Sequence, residues 1–322
     1  MGRRNILLCF DAFGTLFQPK RPVAEQYATV ARQCGLDGFS VEQVQASFKT
    51  AFSKESQEHP NYGRASGMGA AKWWTNVIHK TFQPLAGLGR ELPKDLAPKL
   101  LHRFCSSEGY SLSAIAGSLL HTLKQREQQQ QQQQQHDHHH HHPRIIVGVI
   151  TNSDDRVPSI LSSLGLRVSP LRFGSSIDPA EVATQLYDID LHCMSYDVGS
   201  SKPDRKIFDA AEEMANQLLA VQQGPGCAGH GLEAPATTSW LKIYVGDEYG
   251  KDVLGARRAG WNTVFVGAEG NVPGQENTSD WKQLGDVALE EIFPQGSDPL
   301  TIRAESTQAF LEWTIKNLAR GD

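Results

Sequence analysis

The first strand-like segment of the chain ends in an acidic residue and a tight turn, and this arrangement restricts the possible folds most. Ile6 to Phe10 is a short apolar run without helical periodicity, which is typical of a buried β-strand. Asp11 follows at once, and Gly14 permits a sharp turn whose backbone N–H groups can face an anion. Open α/β sheets keep their active sites at the C-terminal ends of such strands. Taken alone, however, the segment is better explained as a buried strand that ends in a structural turn.

Three later segments repeat this pattern of an apolar strand or a helix start next to reactive polar residues. Ile145 to Ile150 leads into a polar segment, Ile243 to Val245 leads into an acidic one, and between them a lysine precedes a helical pattern. The polar residues of all four segments, in chain order, are Asp11, Thr151, Lys202, Asp247 and Asp252. An Asp, a Thr, a Lys and an acidic pair in this order resemble the haloacid dehalogenase-like (HAD) hydrolase superfamily. The resemblance covers most of the chain outside two insertions.

The alternation of strands and helices predicts an α/β fold with a doubly wound, mostly parallel sheet and right-handed crossovers. The resemblance implies a HAD-like Rossmannoid core, which we predict to comprise residues 1–17 and 110–322. Residues 18–109 show four apolar stripes at helical spacing and no strand, so they are predicted to form an inserted all-helical cap domain. In the resemblance, such a cap closes over the catalytic Asp and excludes water.

Two insertions into the core are predicted to be disordered. The first, about residues 128–143, contains an unbroken polyglutamine tract, Gln128 to Gln135, and a run of histidines. The second, about residues 222–238, is rich in Gly, Pro and Ala. Neither contains one of the four motifs, and a longer surface loop costs little because closure entropy grows only logarithmically. A His-rich run can bind Zn or Ni, but without a fixed geometry a linker is the better interpretation.

Two features of the cap region resemble a eukaryotic branch of the family. The segment His59 to Gly63 is predicted to be a loop because it contains Pro and Gly, and Trp73-Trp74 is a pair of large aromatics within a helical pattern. Such aromatics usually pack in a core, and we predict this for the Trp pair. A solvated turn is the commoner explanation for His59 and Tyr62, but both are retained as candidates that help to select substrate.

Composition excludes several classes of function. The net charge of −5, with acids and bases interspersed, shows no basic face for nucleic acid. No apolar run approaches the length of a membrane span, and the strand that starts near residue 6 leaves no room for a targeting peptide. The five scattered cysteines indicate reduced thiols in a reducing compartment. We therefore expect a cytoplasmic or nuclear protein, or both, that acts on a small molecule, with neither nucleic acid nor membrane as a partner and an undefined oligomeric state.

The ordered motifs supply the groups that phosphoryl transfer to a carboxylate needs, namely a nucleophile, a counter-charge and a metal. Asp11 is the candidate nucleophile, Thr151 can donate to a phosphate oxygen, and Lys202 can bridge Asp11 and the phosphate. The candidate Mg²⁺ ligands are Asp11, Asp247, Asp252 and the backbone carbonyl of Phe13. The candidate substrate-binding residues are Phe13, Gly14, Asn152, His59 and Tyr62. A capped turn without a metal is the alternative for the acidic pair.

The sequence departs from the family's phosphatases two residues after the candidate nucleophile. Those enzymes carry a second Asp there, which protonates the leaving alkoxide and later activates water, whereas this chain has Phe13. A phenyl ring has no proton to give, and losing a general acid typically costs about 10²–10⁴-fold in rate. The cost is greatest for basic alkoxide leaving groups, so the predicted phosphatase activity is expected to be weak or restricted.

Two other functions stay open at this stage. The Asp-Ala-aromatic-Gly-Thr pattern from Asp11 to Thr15 looks like the haloacid dehalogenases, whose halide leaving group needs no proton. Those enzymes need no Mg²⁺ and lack the acidic pair Asp247 and Asp252, and for this reason we favour the Mg²⁺-dependent phosphatase. A HAD fold that has lost its acid/base could also serve as a binding or interaction module.

Overall fold

A computed structural model of the chain describes residues 4–87, 89–112, 114–134, 144–183, 185–223, 240–267, 272, 281–285, 292–294 and 296–319. The chain divides into two compact units. The first comprises Met1–Phe17, Leu112–Asn152 and Gly165–Asp322, and the second comprises Gln18–Ser111 and Ser153–Leu164. The sequence alone assigns the whole of 110–322 to one domain, whereas contacts group residues 153–164 with the second unit. The predicted role of residues 18–109 as a cap stays a prediction.

Nine strands are found among the described residues. They are β1 (Asn5–Phe10), β2 (Phe17–Pro19), β3 (Tyr110–Leu112), β4 (Ile145–Thr151), β5 (Leu191–Met194), β6 (Trp240–Gly246), β7 (Asn262–Phe265), β8 (Lys282–Gln283) and β9 (Thr301–Arg303). Seven of them form one sheet in the order β5-β4-β1-β6-β7-β9-β8. Every recorded pairing in that sheet is parallel, so the predicted α/β fold with a mostly parallel sheet is confirmed.

The helices lie in both units. They are α1 (Val23–Gln33), α2 (Val41–Glu58), α3 (Pro60–Gly63), α4 (Ala70–Phe82), α5 (Leu96–Arg103), α6 (Ala114–Gln134), α7 (Val157–Ser163), α8 (Pro179–Val182), α9 (Ser195–Val198), α10 (Arg205–Gln223), α11 (Leu254–Arg258) and α12 (Thr307–Ala319). A 3₁₀ turn, Arg64–Ser66, and a π-helical turn, Tyr249–Val253, complete the set. No helix among the described residues is long and apolar enough to cross a membrane.

The register of the central strands explains why the polar motifs meet. Phe10 at the end of β1 lies beside Val149 of β4 on one side and beside Val245 of β6 on the other. The three strands are parallel, so their C-terminal ends reach the same edge of the sheet. All seven residues of β4 are buried, and only the first residue of β1 is not, as expected for strands covered on both faces.

The second unit is built from aromatic-rich helices. The helices predicted from apolar stripes correspond to α1, α2, α4 and α5. Ser40 starts α2 with a capping box, in which its hydroxyl accepts from the backbone of Gln43 while the Gln43 side chain accepts from the Ser40 backbone. The buried ring of Tyr27 on α1 contacts Phe48 of α2 and Phe82 of α4. The sequence predicts no strand within residues 18–109, and the two-stranded sheet of β2 and β3 lies at the borders of this range, which only residues 18 and 19 of β2 enter.

The prediction of disorder is wrong for the first part of the polyglutamine tract. Helix α6 continues through Gln134, so residues 128–134 are helical. Glutamine has a good helix propensity, and extending an existing helix avoids the cost of nucleation. Gln131 also donates to Glu127 at 2.7 Å and accepts from Arg144. Residues 135–143 lie outside the described residues, as do 224–238 of the second insertion, whose first two residues end α10.

Candidate functional site

The turn after β1 wraps around one carboxylate of the acidic pair. The backbone N–H of Asp11 continues the sheet pattern by donating to Val245 at 2.9 Å. Gly14 has a φ of +82°, and a Cβ there would collide with the side chain of Asp247. The hydroxyl of Thr15 donates to Asp247 Oδ1 at 3.1 Å. The glycine predicted for this turn is therefore needed for its backbone angle and for the close approach of Asp247.

Lys202 lies at the centre of the site. Its side chain is 2% exposed, and its Nζ lies 2.9 Å from Asp11 Oδ1 and 2.8 Å from Asp252 Oδ1. The Asn152 amide fixes the backbone of the same lysine, because its Oδ1 accepts from the Lys202 N–H at 2.7 Å and its Nδ2 donates to the Lys202 carbonyl at 2.9 Å. Asn152, predicted to bind substrate, thus holds the backbone of Lys202 through both the oxygen and the nitrogen of its side-chain amide. Its contact with substrate stays a prediction.

Asp252 is held from two directions within the π-helical turn after β6. Its Oδ1 accepts from Lys202, and its Oδ2 accepts from the backbone N–H of Glu248 at 2.9 Å. A Cβ at Gly246 would collide with the Asp252 side chain, so this strand end also requires a glycine. The alternative interpretation, a helix capped by Asp247, does not match this local geometry. The residue that precedes the turn is Glu248, and the Glu248 side chain makes no capping hydrogen bond.

The three carboxylates of the site crowd one another. Oxygen atoms of Asp11, Asp247 and Asp252 all lie within 4.8 Å of one another. Burial and the nearby charge of Asp11 raise the pKa of Asp247, and burial raises the pKa of Asp252 to about 6 although Lys202 opposes the shift. Burial lowers the pKa of Lys202, but the charges of Asp11 and Asp252 outweigh it and the pKa is raised. The site therefore carries more negative charge than the lysine offsets.

These residues fit a hard divalent cation. Asp11 Oδ1 is buried and receives no well-aligned hydrogen bond among the described residues, although Lys202 Nζ lies close to it. Carboxylate oxygens are the ligands that Mg²⁺ prefers, and a bound divalent ion would neutralise the excess charge. The structure therefore brings the predicted ligands Asp11, Asp247 and Asp252 together. Thr151, the predicted donor to a phosphate oxygen, ends β4 at the same edge of the sheet and is 2% exposed.

The two candidates predicted in the cap region lie in the second unit. Tyr62 has a left-handed backbone with a φ of 56°, and its ring packs edge-on against Trp73 with centroids 5.1 Å apart. The backbone carbonyl of His59 accepts from the indole N–H of Trp73 at 3.0 Å. Trp73 is 1% exposed, in agreement with the predicted packing role. A role of His59 and Tyr62 in substrate selection stays a prediction.

Trp74 makes a different set of contacts in that unit. Its indole N–H donates to Asp154 Oδ2 at 2.6 Å, and the guanidinium of Arg156 lies 4.2 Å from its ring centroid. Arg156 also pairs with Asp154 at 2.8 Å. Trp74 therefore contacts both members of the Asp154–Arg156 ion pair. The apolar stripe in the sequence does not indicate this polar role.

Sequence reasoning missed Tyr244. Its hydroxyl accepts from Lys202 Nζ at 2.7 Å and donates to the carbonyl of Ile150 at 2.8 Å. A tyrosine in an otherwise apolar buried strand is a usable signal, because a buried phenol needs a hydrogen-bond partner. The identity of that partner could not be read from the sequence, since Lys202 lies 42 residues away.

Comparisons with known proteins identify the family, although no family model matches the chain. The haloacid dehalogenase-like hydrolase domain-containing protein 3 of Danio rerio is 30% identical over 256 residues, covering 78% of this chain and 80% of the relative. The protein of that name from Homo sapiens is 26% identical over 261 residues, covering 81% of each. An uncharacterized hydrolase of Schizosaccharomyces pombe is 28% identical over 265 residues, covering 82% of this chain and 92% of the relative. The chain belongs to the haloacid dehalogenase-like hydrolase family, which confirms the resemblance stated from the motifs.

Solved structures agree on the fold. The 2-haloacid dehalogenase from Pseudomonas syringae superposes with a TM-score of 0.52 at 16% identity, covering 99% of this chain and 100% of that one. A defluorinating L-2-haloacid dehalogenase gives a TM-score of 0.53 at 13% identity, covering 96% of this chain and 95% of that one. At these identities the likeness concerns the fold alone.

Proposed function

We propose that this protein is a Mg²⁺-dependent, phosphatase-type hydrolase that acts on a small phosphorylated substrate through an aspartyl-enzyme intermediate. The observation that carries the proposal is the cluster of Asp11, Asp247 and Asp252, whose oxygens lie within 4.8 Å of one another beside Lys202. Such a cluster is costly without a cation, and Mg²⁺ supplies neutralisation of the negative charge that develops on a transferring phosphoryl group.

The chain's own residues divide the work of the first step. A carboxylate oxygen of Asp11 attacks phosphorus, the bond from phosphorus to the leaving oxygen breaks, and the phosphoryl group becomes attached to Asp11. Lys202 holds Asp11 by charge at 2.9 Å and keeps it oriented for attack. The hydroxyl of Thr151 donates to a phosphoryl oxygen. The backbone N–H of Gly14 does not take part, because it donates to the carbonyl of Phe17 at 2.9 Å. Water then attacks the phosphorus of the acyl phosphate, the bond from phosphorus to the Asp11 oxygen breaks, and inorganic phosphate leaves while the carboxylate of Asp11 is restored.

Phe13 limits the substrates that this step can use. Its ring packs edge-on against Phe17 with centroids 4.7 Å apart, at the position where the family's phosphatases carry an acid. The departing oxygen receives no proton from this side chain, so the leaving group must be stable as an anion. Aryl and acyl phosphates meet this requirement, and alkyl phosphates such as sugar phosphates do not.

Replacing Phe13 by Asp tests this limit. We expect wild-type kcat/KM to be about 10²–10⁴-fold higher for an aryl phosphate than for a sugar phosphate, and the Phe13→Asp variant to narrow that ratio. Phe13→Asn is the matched control, because it removes the same ring without adding an acid. Steady-state kinetics on both substrates give the ratio. If Phe13→Asn narrowed this kcat/KM ratio as much as Phe13→Asp does, the phenyl ring and not the missing acid would set the preference for aryl phosphates.

Magnesium should stabilise the folded protein in a pH-dependent way. Because the folded-state pKa of Asp252 is raised to about 6, the folded protein binds this proton better than the unfolded chain does. The contribution of Asp252 to metal-free stability is therefore fully present below the ordinary carboxyl pKa and is lost as pH rises through about 6. Metal binding requires ionised ligands, so the Mg²⁺-induced rise in the unfolding midpoint should be larger near pH 7 than near pH 5.

Thermal unfolding with and without millimolar Mg²⁺ measures this rise. The double variant Asp247→Asn Asp252→Asn removes two candidate ligands while keeping their size, and we expect it to show no Mg²⁺-induced rise at either pH. An equal rise in the double variant would place the Mg²⁺ elsewhere.

Phe13 also favours a second candidate function. A halide needs no proton, so carbon–halogen hydrolysis through Asp11 would proceed without the missing acid. The test is chloride release from a 2-chloro acid. Release that persists in the presence of a metal chelator would favour the dehalogenase over the phosphatase.

A further inference from the structure

A tyrosine outside the four motifs holds the central lysine of the site. Tyr244 lies on β6 and is fully buried, with a relative exposure of 0%. Its hydroxyl accepts a hydrogen bond from Lys202 Nζ at 2.7 Å and donates one to the carbonyl of Ile150 at 2.8 Å. A second acceptor for this hydroxyl, Asp252 Oδ1, lies farther away at 3.4 Å. The phenol therefore links the lysine to the backbone of β4.

Three oxygens lie close to the ammonium of Lys202. Tyr244 Oη at 2.7 Å and Asp252 Oδ1 at 2.8 Å accept hydrogen bonds from it, and Asp11 Oδ1 at 2.9 Å forms an ion pair with it. Two of the three are carboxylates, which alone would leave a flexible four-carbon side chain free to shift between them. The third contact, with the neutral hydroxyl of Tyr244, fixes the position of the ammonium between the two carboxylates.

We propose that Tyr244 is a positioning residue that holds the ammonium of Lys202 between Asp11 and Asp252. The inference rests on the proposed function, in which Lys202 orients the nucleophile Asp11. Tyr244 itself touches neither substrate nor the reacting atoms in this scheme. It acts through the lysine and through the carbonyl of Ile150.

Removing the hydroxyl takes one hydrogen-bond partner from each of two buried groups. In a Tyr244→Phe variant, one N–H of Lys202 loses its acceptor and the carbonyl of Ile150 loses the phenol as a donor. Buried polar groups that lose a partner are costly, and these two can satisfy each other only if the ammonium moves toward β4. That movement takes Nζ away from the carboxylates. A displacement of about 1 Å at a reacting group can lower turnover about 10²-fold.

The ring of Tyr244 has a separate packing role that provides a control. Phe208 of α10 packs edge-on against it, with ring centroids 5.3 Å apart and an interplanar angle of 87°. Tyr244→Phe keeps this ring contact and loses only the hydroxyl, whereas Phe208→Leu removes the ring contact and leaves the hydroxyl of Tyr244 in place. If turnover depended on packing around the ring, kcat would fall in Phe208→Leu, whereas a loss of lysine position should appear only in Tyr244→Phe.

The decisive experiment combines crystal structures and kinetics of the full-length wild type, Tyr244→Phe and Phe208→Leu. We expect Nζ of Lys202 to shift by about 1 Å in Tyr244→Phe only, and kcat for an aryl phosphate to fall about 10- to 100-fold with KM within about twofold. Phe208→Leu should lower the unfolding midpoint and keep both the lysine position and kcat. An unmoved lysine in Tyr244→Phe, or an equal fall in kcat in both variants, overturns the inference. The structures decide the positioning role even if the wild type hydrolyses no phosphate, an outcome that would refute the proposed function instead.

Discussion

Replacing Asp11 by Asn is expected to lower hydrolysis of an aryl phosphate by about 10⁴-fold or more, the scale on which enzymes lose turnover with their nucleophile. The amide keeps the size of the side chain but cannot attack phosphorus. The substitution should change the stability of the folded protein little, because Lys202 keeps its contacts with Asp252 and Tyr244. Product release measured in excess enzyme gives the residual rate.

The same variant should relieve the crowding of the site. The charge of Asp11 is one of the causes that raise the pKa values of Asp247 and Asp252, so both should fall in Asp11→Asn. Urea unfolding at about pH 7 without metal should therefore show a stability equal to or above that of the wild type. Asp190→Asn is a matched control, since Asp190 is another buried carboxylate of this unit that pairs with a lysine. We expect this control to lose stability and to retain turnover.

Other outcomes for Asp11→Asn discriminate between the functions considered. Undiminished aryl-phosphate turnover would refute the assignment of the nucleophile. Chelator-insensitive chloride release that Asp11→Asn abolishes would favour the dehalogenase. Tight binding of a phosphate mimic that depends on Asp11, with no turnover of any substrate by the wild type, would leave a binding module as the function.

The sequence predicted which residues lie at the C-terminal edge of the sheet, because that prediction rests on short-range rules. An apolar strand that ends in a polar residue delivers its side chain to a known edge, and parallel neighbours end side by side. Asp11 and Asp247 therefore meet, as their strands predict, through the register of Phe10 with Val245. Gly14 was likewise predictable as a turn residue, although its close approach to Asp247 was not.

The supporting contacts could not be predicted, because their partners are far apart in the chain. Thr15 donates to a carboxylate 232 residues away, and the Asn152 amide holds a backbone 50 residues away. Periodicity and composition carry no information about such pairs. The helical start of the polyglutamine tract is a different failure, in which a compositional rule for disorder was outweighed by the extension of α6.

Replacing Lys202 by Met should cost the metal-free protein about 3–5 kcal/mol of stability near pH 7, the typical penalty for breaking a buried ion pair from one side. The lysine side chain is 2% exposed, and that of its partner Asp252 is 1% exposed, so water cannot readily replace the ammonium. Without it the pKa of Asp252 should rise further, because Lys202 is the charge that lowers it. The stability cost should consequently shrink toward about pH 5, where the carboxylates take up protons.

Lys124→Met separates this effect from the loss of any buried lysine. Lys124 pairs with Glu127 at 2.7 Å and with Asp190 at 2.9 Å, and it donates to the carbonyl of Ile145 at the opposite end of β4 from Thr151. Its loss should destabilise the fold comparably. It should leave turnover and the Mg²⁺-induced rise in the unfolding midpoint unchanged, because Ile145 beside Lys124 and Ile150 beside Tyr244 and Lys202 are roughly 16 Å apart along β4.

Lys202→Met should instead abolish turnover and enlarge the Mg²⁺-induced rise. Without the ammonium, Asp11, Asp247 and Asp252 present their full negative charge to the cation, and Mg²⁺ gains attraction as it takes over the neutralising role. Urea unfolding, thermal unfolding with Mg²⁺ and aryl-phosphate kinetics on both lysine variants check the three effects. A rise that is equal in Lys202→Met, Lys124→Met and the wild type would mean that the cation binds outside the field of Lys202, and the three carboxylates would then no longer qualify as its ligands.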